Sequence, residues 1–174
     1  MQSYKIRFFM AFFLIFAWVV SSNAADVAKI GVIDIKRVLD NSNAGKAAQA
    51  ELNKQGKTMQ GELEKRKAEI EEIQKNIERQ AAVMSKEARE QKKRDLQIKL
   101  YDFKNLEKKY RSELRTSERK KSIKIQKEVL SIAREIGKKE GYLIIIDKGV
   151  AIYVPKALDL TDKVIKEYNA GYKK

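Results

Sequence analysis

Neither cysteine nor histidine occurs in the 174 residues, and proline occurs once, at Pro155. Without cysteine there are no disulfides and no lipid attached through a thioether. Without cysteine and histidine together, Ser-His-Asp and Cys-His catalysis and the usual zinc sites are excluded, which leaves little basis for an enzyme. No cofactor motif is present either. Acid is the scarce charge: 24 Asp and Glu stand against 38 Lys and Arg, a formal net charge of +14. Long apolar runs are also missing. The longest, Phe8 to Val20, has 13 residues, short of the ~20 that a membrane-spanning helix needs.

That run has a different reading. Lys5 and Arg7 precede it as a short basic region, and Ser22-Asn23-Ala24 places small residues at the −3 and −1 positions of a cleavage site. Residues 1–24 are therefore expected to be a signal peptide cleaved after Ala24, sending the chain out of the cytoplasm. The mature chain then has 150 residues, and losing Lys5 and Arg7 lowers its charge from +14 to +12.

What the chain does have is a charged, proline-free run from Ala44 to Glu140. Alternating steps of four and three from Leu52 pass through Gly56, Met59, Leu63, Arg66, Ile70, Ile73, Ile77, Gln80 and Met84, mostly apolar and set among Lys, Glu, Gln and Arg. A stripe that narrow, with a 3.5-residue period, is a coiled-coil seam rather than the face of a helix in a globular core. A second seam runs through Leu96, Phe103, Tyr110 and Leu114 and resumes at Val129, Ile132 and Ile136. Between the two, the polar stretch from Gln80 to Arg94 contains Ser85, suited to capping a new helix, with Glu87 in its first turn. The simplest reading is an antiparallel helical hairpin over residues 44–126 with its tip near Val83 to Ala88. One unbroken helix is the alternative. Gly56 and Gly61 weaken the outgoing helix by about 1 kcal/mol each relative to Ala, and are expected to let the arm flex. Tyr101 is expected to sit in or beside the seam.

About 50 residues remain for a compact body, 25–43 with 127–174, too few to bury a comfortable core alone. Lys29 to Asp34 reads as a strand buried on both faces, with a short helical turn at Ile35 to Leu39. Asp40 to Asn43 caps the first long helix. Val129, Leu130, Ile132, Ala133 and Ile136 pack on the body, and Gly141 ends that helix in the left-handed conformation. Tyr142 to Ile146 reads as the strongest strand. Asp147-Lys148-Gly149 follows as a hairpin loop with Gly149 left-handed, and Val150 to Val154 as the return strand. Asp159 or Thr161 caps a last helix. Three strands cannot close a barrel, and apolar edges invite pairing, so a sheet completed by other chains is expected; a monomer with covered edges is the alternative. Ile30, Val32, Leu143, Ile145 and Ile152 carry that shared body. Asp34 and Asp147 follow strands and could pair at a metal, although turn and cap roles suit them better.

The K-I-G-V-I-D strand, the long basic hairpin, Y-L-I-I-I-D, V-A-I-Y-V-P and D-L-T-D-K-V-I-K-E-Y-N, in this order behind an export signal, resemble the Skp/OmpH family of periplasmic chaperones. The resemblance covers Ala25 to Asn169, and its specific part lies in Ile145 to Tyr153 and Leu160 to Asp162. It implies an α+β fold, a homotrimer whose small β-body is completed by trimerisation and carries one helical arm per chain. It also implies an ATP-independent holdase that keeps unfolded outer-membrane β-barrel proteins in the cavity between the arms. A lipopolysaccharide site proposed for some members has no motif here that carries its residues over.

Composition fits that role. Long Lys and Arg side chains cover apolar client surface with their stems while their charges stay in water. Lys86, Arg89, Lys92, Lys93 and Arg94 make the tip net +3 over residues 86–94. Lys104, Lys108 and Arg111 lead a second run, net +6 over residues 104–124. These eight are the candidate surface for acidic clients and anionic lipid head groups, lipopolysaccharide among them. Leu63, Ile70, Ile73, Ile77, Met84, Leu96, Phe103 and Tyr110 form the seam. Nucleic acid is the rival anion, disfavoured by the export signal and by the lack of a basic aromatic platform. A purely structural envelope spacer is the alternative from another class.

Overall fold

The computed structural model describes residues 28–172, so the expected signal peptide and its cleavage site lie outside the described residues. Strand β1 (Ile30–Ile33) leads into helix α1 (Ile35–Asn41), then α2 (Asn43–Gln80), α3 (Lys86–Glu140), strand β2 (Ile144–Asp147) and α4 (Thr161–Gly171). The strands pair in parallel, Ile30 with Ile144 through Ile33 with Asp147. Parallel neighbours need a long crossover, and here the crossover is the helical pair α2–α3.

The helix ends follow from their residues. Asp34 caps α1 by accepting the Arg37 N–H at 2.8 Å, and Ser42 caps α2 by accepting the Gly45 N–H at 3.1 Å. Ser85 caps α3 through the Ala88 N–H at 3.2 Å, with Glu87 in the first turn. Gly141 closes α3 at φ 71°, where a side chain would be strained, and Lys138 and Lys139 in the last turn complement the helix dipole. No proline and no glycine interrupts α3 before Gly137, so its 55 residues run on for ~82 Å. The expected tip is present, with one shift: α2 stops at Gln80, and Ala81 to Met84 form the turn.

The body core joins both ends of the chain to the root of the arm. Val38, Val129 and Val164 are fully buried, surrounded by Ile33, Ala44, Ile125, Ala133, Ile136, Leu160 and Tyr168. Two glycines meet their neighbours closely, and at Gly45 the neighbour is backbone, which cannot give way. A Cβ on Gly45 would lie 1.7 Å from the Leu39 carbonyl oxygen, and one on Gly31 would lie 2.4 Å from a Leu160 methyl.

Three expectations are corrected. The strand–loop–strand unit after α3 is not a hairpin: Lys148–Val150 is a 3₁₀ turn, and Ala151 to Pro155 follows as an irregular segment with a bend at Ile152, unpaired in the chain. The other side of β1 meets Asp159 instead, through Val32, and Leu160 donates its N–H to the Val32 carbonyl at 2.8 Å. The outer edge of β2 stays open, but Asp147 accepts the Gly149 N–H and caps the 3₁₀ turn, and the segment beyond it does not return along that edge. Gly149 is accordingly not left-handed; among the described residues Gly141 alone has positive φ. Finally, neither Asp159 nor Thr161 is the cap residue of α4, which is Leu160, although the Asp159 carboxylate accepts the Thr161 N–H at 2.9 Å. The Thr161 hydroxyl faces inward and accepts the Asp34 N–H.

Candidate functional site

The arm is a self-contained hairpin. Gly56 lies against Leu114, Tyr110 donates to Glu62, Lys121 binds Glu51 at 2.6 Å, and Lys92 binds Gln80 at 2.9 Å. Partners on α3 move back as those on α2 move forward, so the helices are antiparallel and in one register throughout. Two of these contacts shift a titration: the Lys121 ammonium holds the Glu51 carboxyl below the usual range, and the hydrogen bond to Glu62 raises the Tyr110 phenol.

Between the helices lies a thin seam. Ile70 and Ile77 are buried, while Leu63, Ile73, Met84, Leu96, Phe103 and Tyr110 are half-buried. Leu106 and Ile125, absent from the expected seam stepping, fill it as well. Tyr101 does not: it is 66% exposed, with Ile98 beside it at 58%, on the side of α3 turned away from α2. Leu130 is also exposed rather than packed.

The expected basic residues separate into two kinds. At the tip, Arg89 donates to the Ala81 carbonyl and Lys92 to the Gln80 side chain. Both cations sit at the C-terminal end of α2, where the helix leaves carbonyls unpaired and the dipole favours positive charge. They staple the turn. Lys93 pairs with Glu90 at 3.2 Å and Arg94 binds Gln91 at 2.6 Å, both within their own helix, while Lys86 is exposed. Lys104, Lys108 and Arg111 are exposed and, among the described residues, have no ion-pair partner. Arg115 and Arg119, which stepping along the seam does not single out, share that state.

The second candidate surface is on the body. A groove of about 380 Å³ lies between α3 and β2, lined by Ile33, Leu130, Ala133, Gly137 and Leu143 to Ile146. Leu143 is 75% exposed, and Val150, Ile152 and Tyr153 project nearly free of the chain. Of the five residues expected to carry a shared body, Val32 is buried and Ile145 half-buried, while Ile30, Leu143 and Ile152 are exposed. Asp34 and Asp147 are each committed to a local N–H, Asp147 to that of Gly149 at 3.0 Å, and no group of metal-ligating side chains forms among the described residues.

Residues 29–168 match the family described as Outer membrane protein (OmpH-like). Curated relatives include the chaperone protein Skp of Photorhabdus laumondii subsp. laumondii, 22% identical over 157 residues and covering 90% of this chain and 94% of its own length. The Skp of Pectobacterium atrosepticum is 22% identical over 154 residues, 88% of this chain and 92% of its own. Among solved structures, a chain described as an outer membrane chaperone (OmpH-like) from Caulobacter crescentus CB15 superposes with a TM-score of 0.80 at 19% identity. It covers 85% of this chain and 88% of its own, which establishes the shared fold.

Proposed function

The chain belongs to the Skp/OmpH family of chaperones, and from that premise we propose that it is an ATP-independent periplasmic holdase for unfolded outer-membrane β-barrel proteins. The family role is chaperoning rather than catalysis. The observation that carries the finer reading is the arm: a hairpin ~57 Å long along α2 by the helical rise, joined only through a one-residue-wide seam, with its remaining faces wet and basic. Such a rod stabilises nothing but itself, so its length serves contact with something else. An unfolded β-barrel protein in water exposes alternating apolar residues and open strand edges, and aggregates unless enclosed. Aliphatic Lys and Arg stems offer many weak contacts to it without imposing a structure.

Enclosure needs more than one arm. The outer edge of β2, the groove beside it and the projecting Val150 to Val154 segment form a donor and an acceptor for β-pairing on the same chain. Copies joined head to tail through them close into a ring, and a homotrimer of β-bodies, residues 25–43 with 127–174, then carries three coiled-coil arms, residues 44–126. Unfolded outer-membrane proteins and two further copies are the partners, and anionic lipid or lipopolysaccharide is a further one through the basic arm. Light scattering on the mature protein, alone and with a porin diluted from urea, tests this. A mass near three chains that gains one soluble porin is expected. A monomer, or a trimer beside which the porin precipitates, overturns the proposal.

A further inference from the structure

The segment that projects from the body is fastened only at its ends. It runs from the 3₁₀ turn at Lys148–Val150 through the bend at Ile152 to a second 3₁₀ turn at Lys156–Leu158, and rejoins β1 at Asp159. Each turn bonds to itself, through the Ala151 N–H to the Lys148 carbonyl and the Leu158 N–H to the Pro155 carbonyl. Between them, among the described residues, the backbone of Ile152, Tyr153 and Val154 makes no hydrogen bond. Side chains hold the middle no better: Ile152 is fully exposed and Tyr153 is 81% exposed.

One carboxylate joins the two ends. Asp159 lies 3.5 Å from the ammonium of Lys148, where the segment leaves β2, and 3.7 Å from the Arg37 guanidinium on α1. Arg37 in turn pairs with Asp162 on α4, so opposite charges alternate through Lys148, Asp159, Arg37 and Asp162. The Asp159 side chain is 16% exposed, so water screens it less than the pairs along the arm, where both partners of Arg66–Glu69 are 54% exposed. The far end is also anchored independently, by the Leu160 N–H on the Val32 carbonyl and the Asp34 N–H on the Thr161 hydroxyl. Among the described residues, Lys148 has no ion-pair partner other than Asp159.

We infer that Lys148 and Asp159 are positioning residues for assembly: their ion pair closes the base of the loop over residues 148–159 and holds Val150 to Val154 out as a preformed docking finger. The inference rests on the assembly proposed above, in which this segment pairs with another copy, and adds the device that presents it. Closing the base removes conformations that docking would otherwise have to remove, so less entropy is lost when the partner arrives. A pair that served the fold alone would leave association unchanged. In a ring of three copies the effect acts once per finger. A docking about fivefold weaker at each finger becomes about a hundredfold in the three-chain dissociation constant, and about tenfold in the concentration at which half the chains are assembled.

The test compares the mature protein with K148Q, D159N, K148Q/D159N and the charge-conserving K148R. The control is K156Q, which removes an exposed lysine of the same loop that has no ion-pair partner among the described residues. Light scattering over a dilution series gives the midpoint of assembly, and circular dichroism on the same samples reports the helices. K148Q and D159N are each expected to raise the midpoint about tenfold with the helices retained, while K148R and K156Q assemble as wild type does. The double variant is expected to assemble no worse than D159N, because the pair is already broken there. A K148Q protein that assembles as wild type overturns the role. So does an equal shift in K156Q, which means that net charge acts, or losses that multiply in the double variant, which means that Lys148 touches the neighbouring copy directly. K148Q chains without helices where wild type is assembled assign the pair to folding and likewise overturn it. If wild type is one chain at every concentration, the assembly reading itself falls.

Discussion

Single residues set how closely the elements of the body meet. Gly45 is the sharpest case, because the atom facing its absent Cβ is backbone, the Leu39 carbonyl oxygen at 1.7 Å, and cannot rotate away. G45A should lower stability by about 3 kcal/mol in urea unfolding, since α1 and α2 must separate to admit one methyl group. Asp159 binds the body by charge. It accepts the Thr161 N–H at 2.9 Å and lies 3.5 Å from Lys148 and 3.7 Å from Arg37. Burial opposes its ionisation, yet the Thr161 hydrogen bonds and Lys148 outweigh it and hold the carboxyl below its usual range. A depressed carboxyl contributes stability above its unfolded pKa of about 4, which is lost as pH falls through the folded value. D159N should therefore cost about 1 kcal/mol at neutral pH. The gap from wild type should narrow below about pH 4, read from thermal unfolding midpoints across that range.

At the scale of elements, what the sequence reveals depends on whether an element's cause is local. Ser85, Glu87 and Gly141 act within a turn of where they stand, so the tip and the end of α3 are legible from them. The seam is legible because its period is carried by bulky residues, although Leu106 escapes a strict stepping from Leu96. The stretch Val150 to Val154 has every local mark of a strand and is not one, because a strand requires a paired neighbour and the 3₁₀ turn at Lys148–Val150 does not return it along the open edge of β2. Arg89 likewise reads as a free cation, and only the fold brings it to the Ala81 carbonyl. Within the arm, Gly56 and Gly61 are helical by context rather than propensity. A methyl on Gly56 would meet Leu114 at an ordinary 3.9 Å, and one on Gly61 meets nothing within 4 Å. G56A and G61A should each stabilise the arm by about 1 kcal/mol, visible as slower amide exchange along α2. If the glycines let arms splay, the doubly substituted protein should also accept a narrower range of client sizes; unchanged exchange would remove that role.

For the whole molecule, the surface left uncovered is the informative one. A small chain with a marginal core has little reason to leave Leu143, Val150, Ile152 and Tyr153 in water unless another surface receives them. The candidate site was readable only in outline for the same reason: composition marks the arm as basic, but which cations stay unpaired depends on which faces the hairpin covers. The projecting segment also provides the cleanest separation of assembly from folding. Ile152 and Tyr153 touch so little of their own chain that I152D/Y153D should leave the circular dichroism of the helices unchanged. Two buried carboxylates per interface, without partners, are incompatible with β-pairing between copies. Light scattering should then give the mass of one chain where the parent gives three. That monomer, with arms intact but no shared interior, should leave a diluted porin to precipitate. A variant that stays trimeric would move the interface off this segment, whereas a monomer that still protects the porin would mean that one arm suffices and no enclosure is needed.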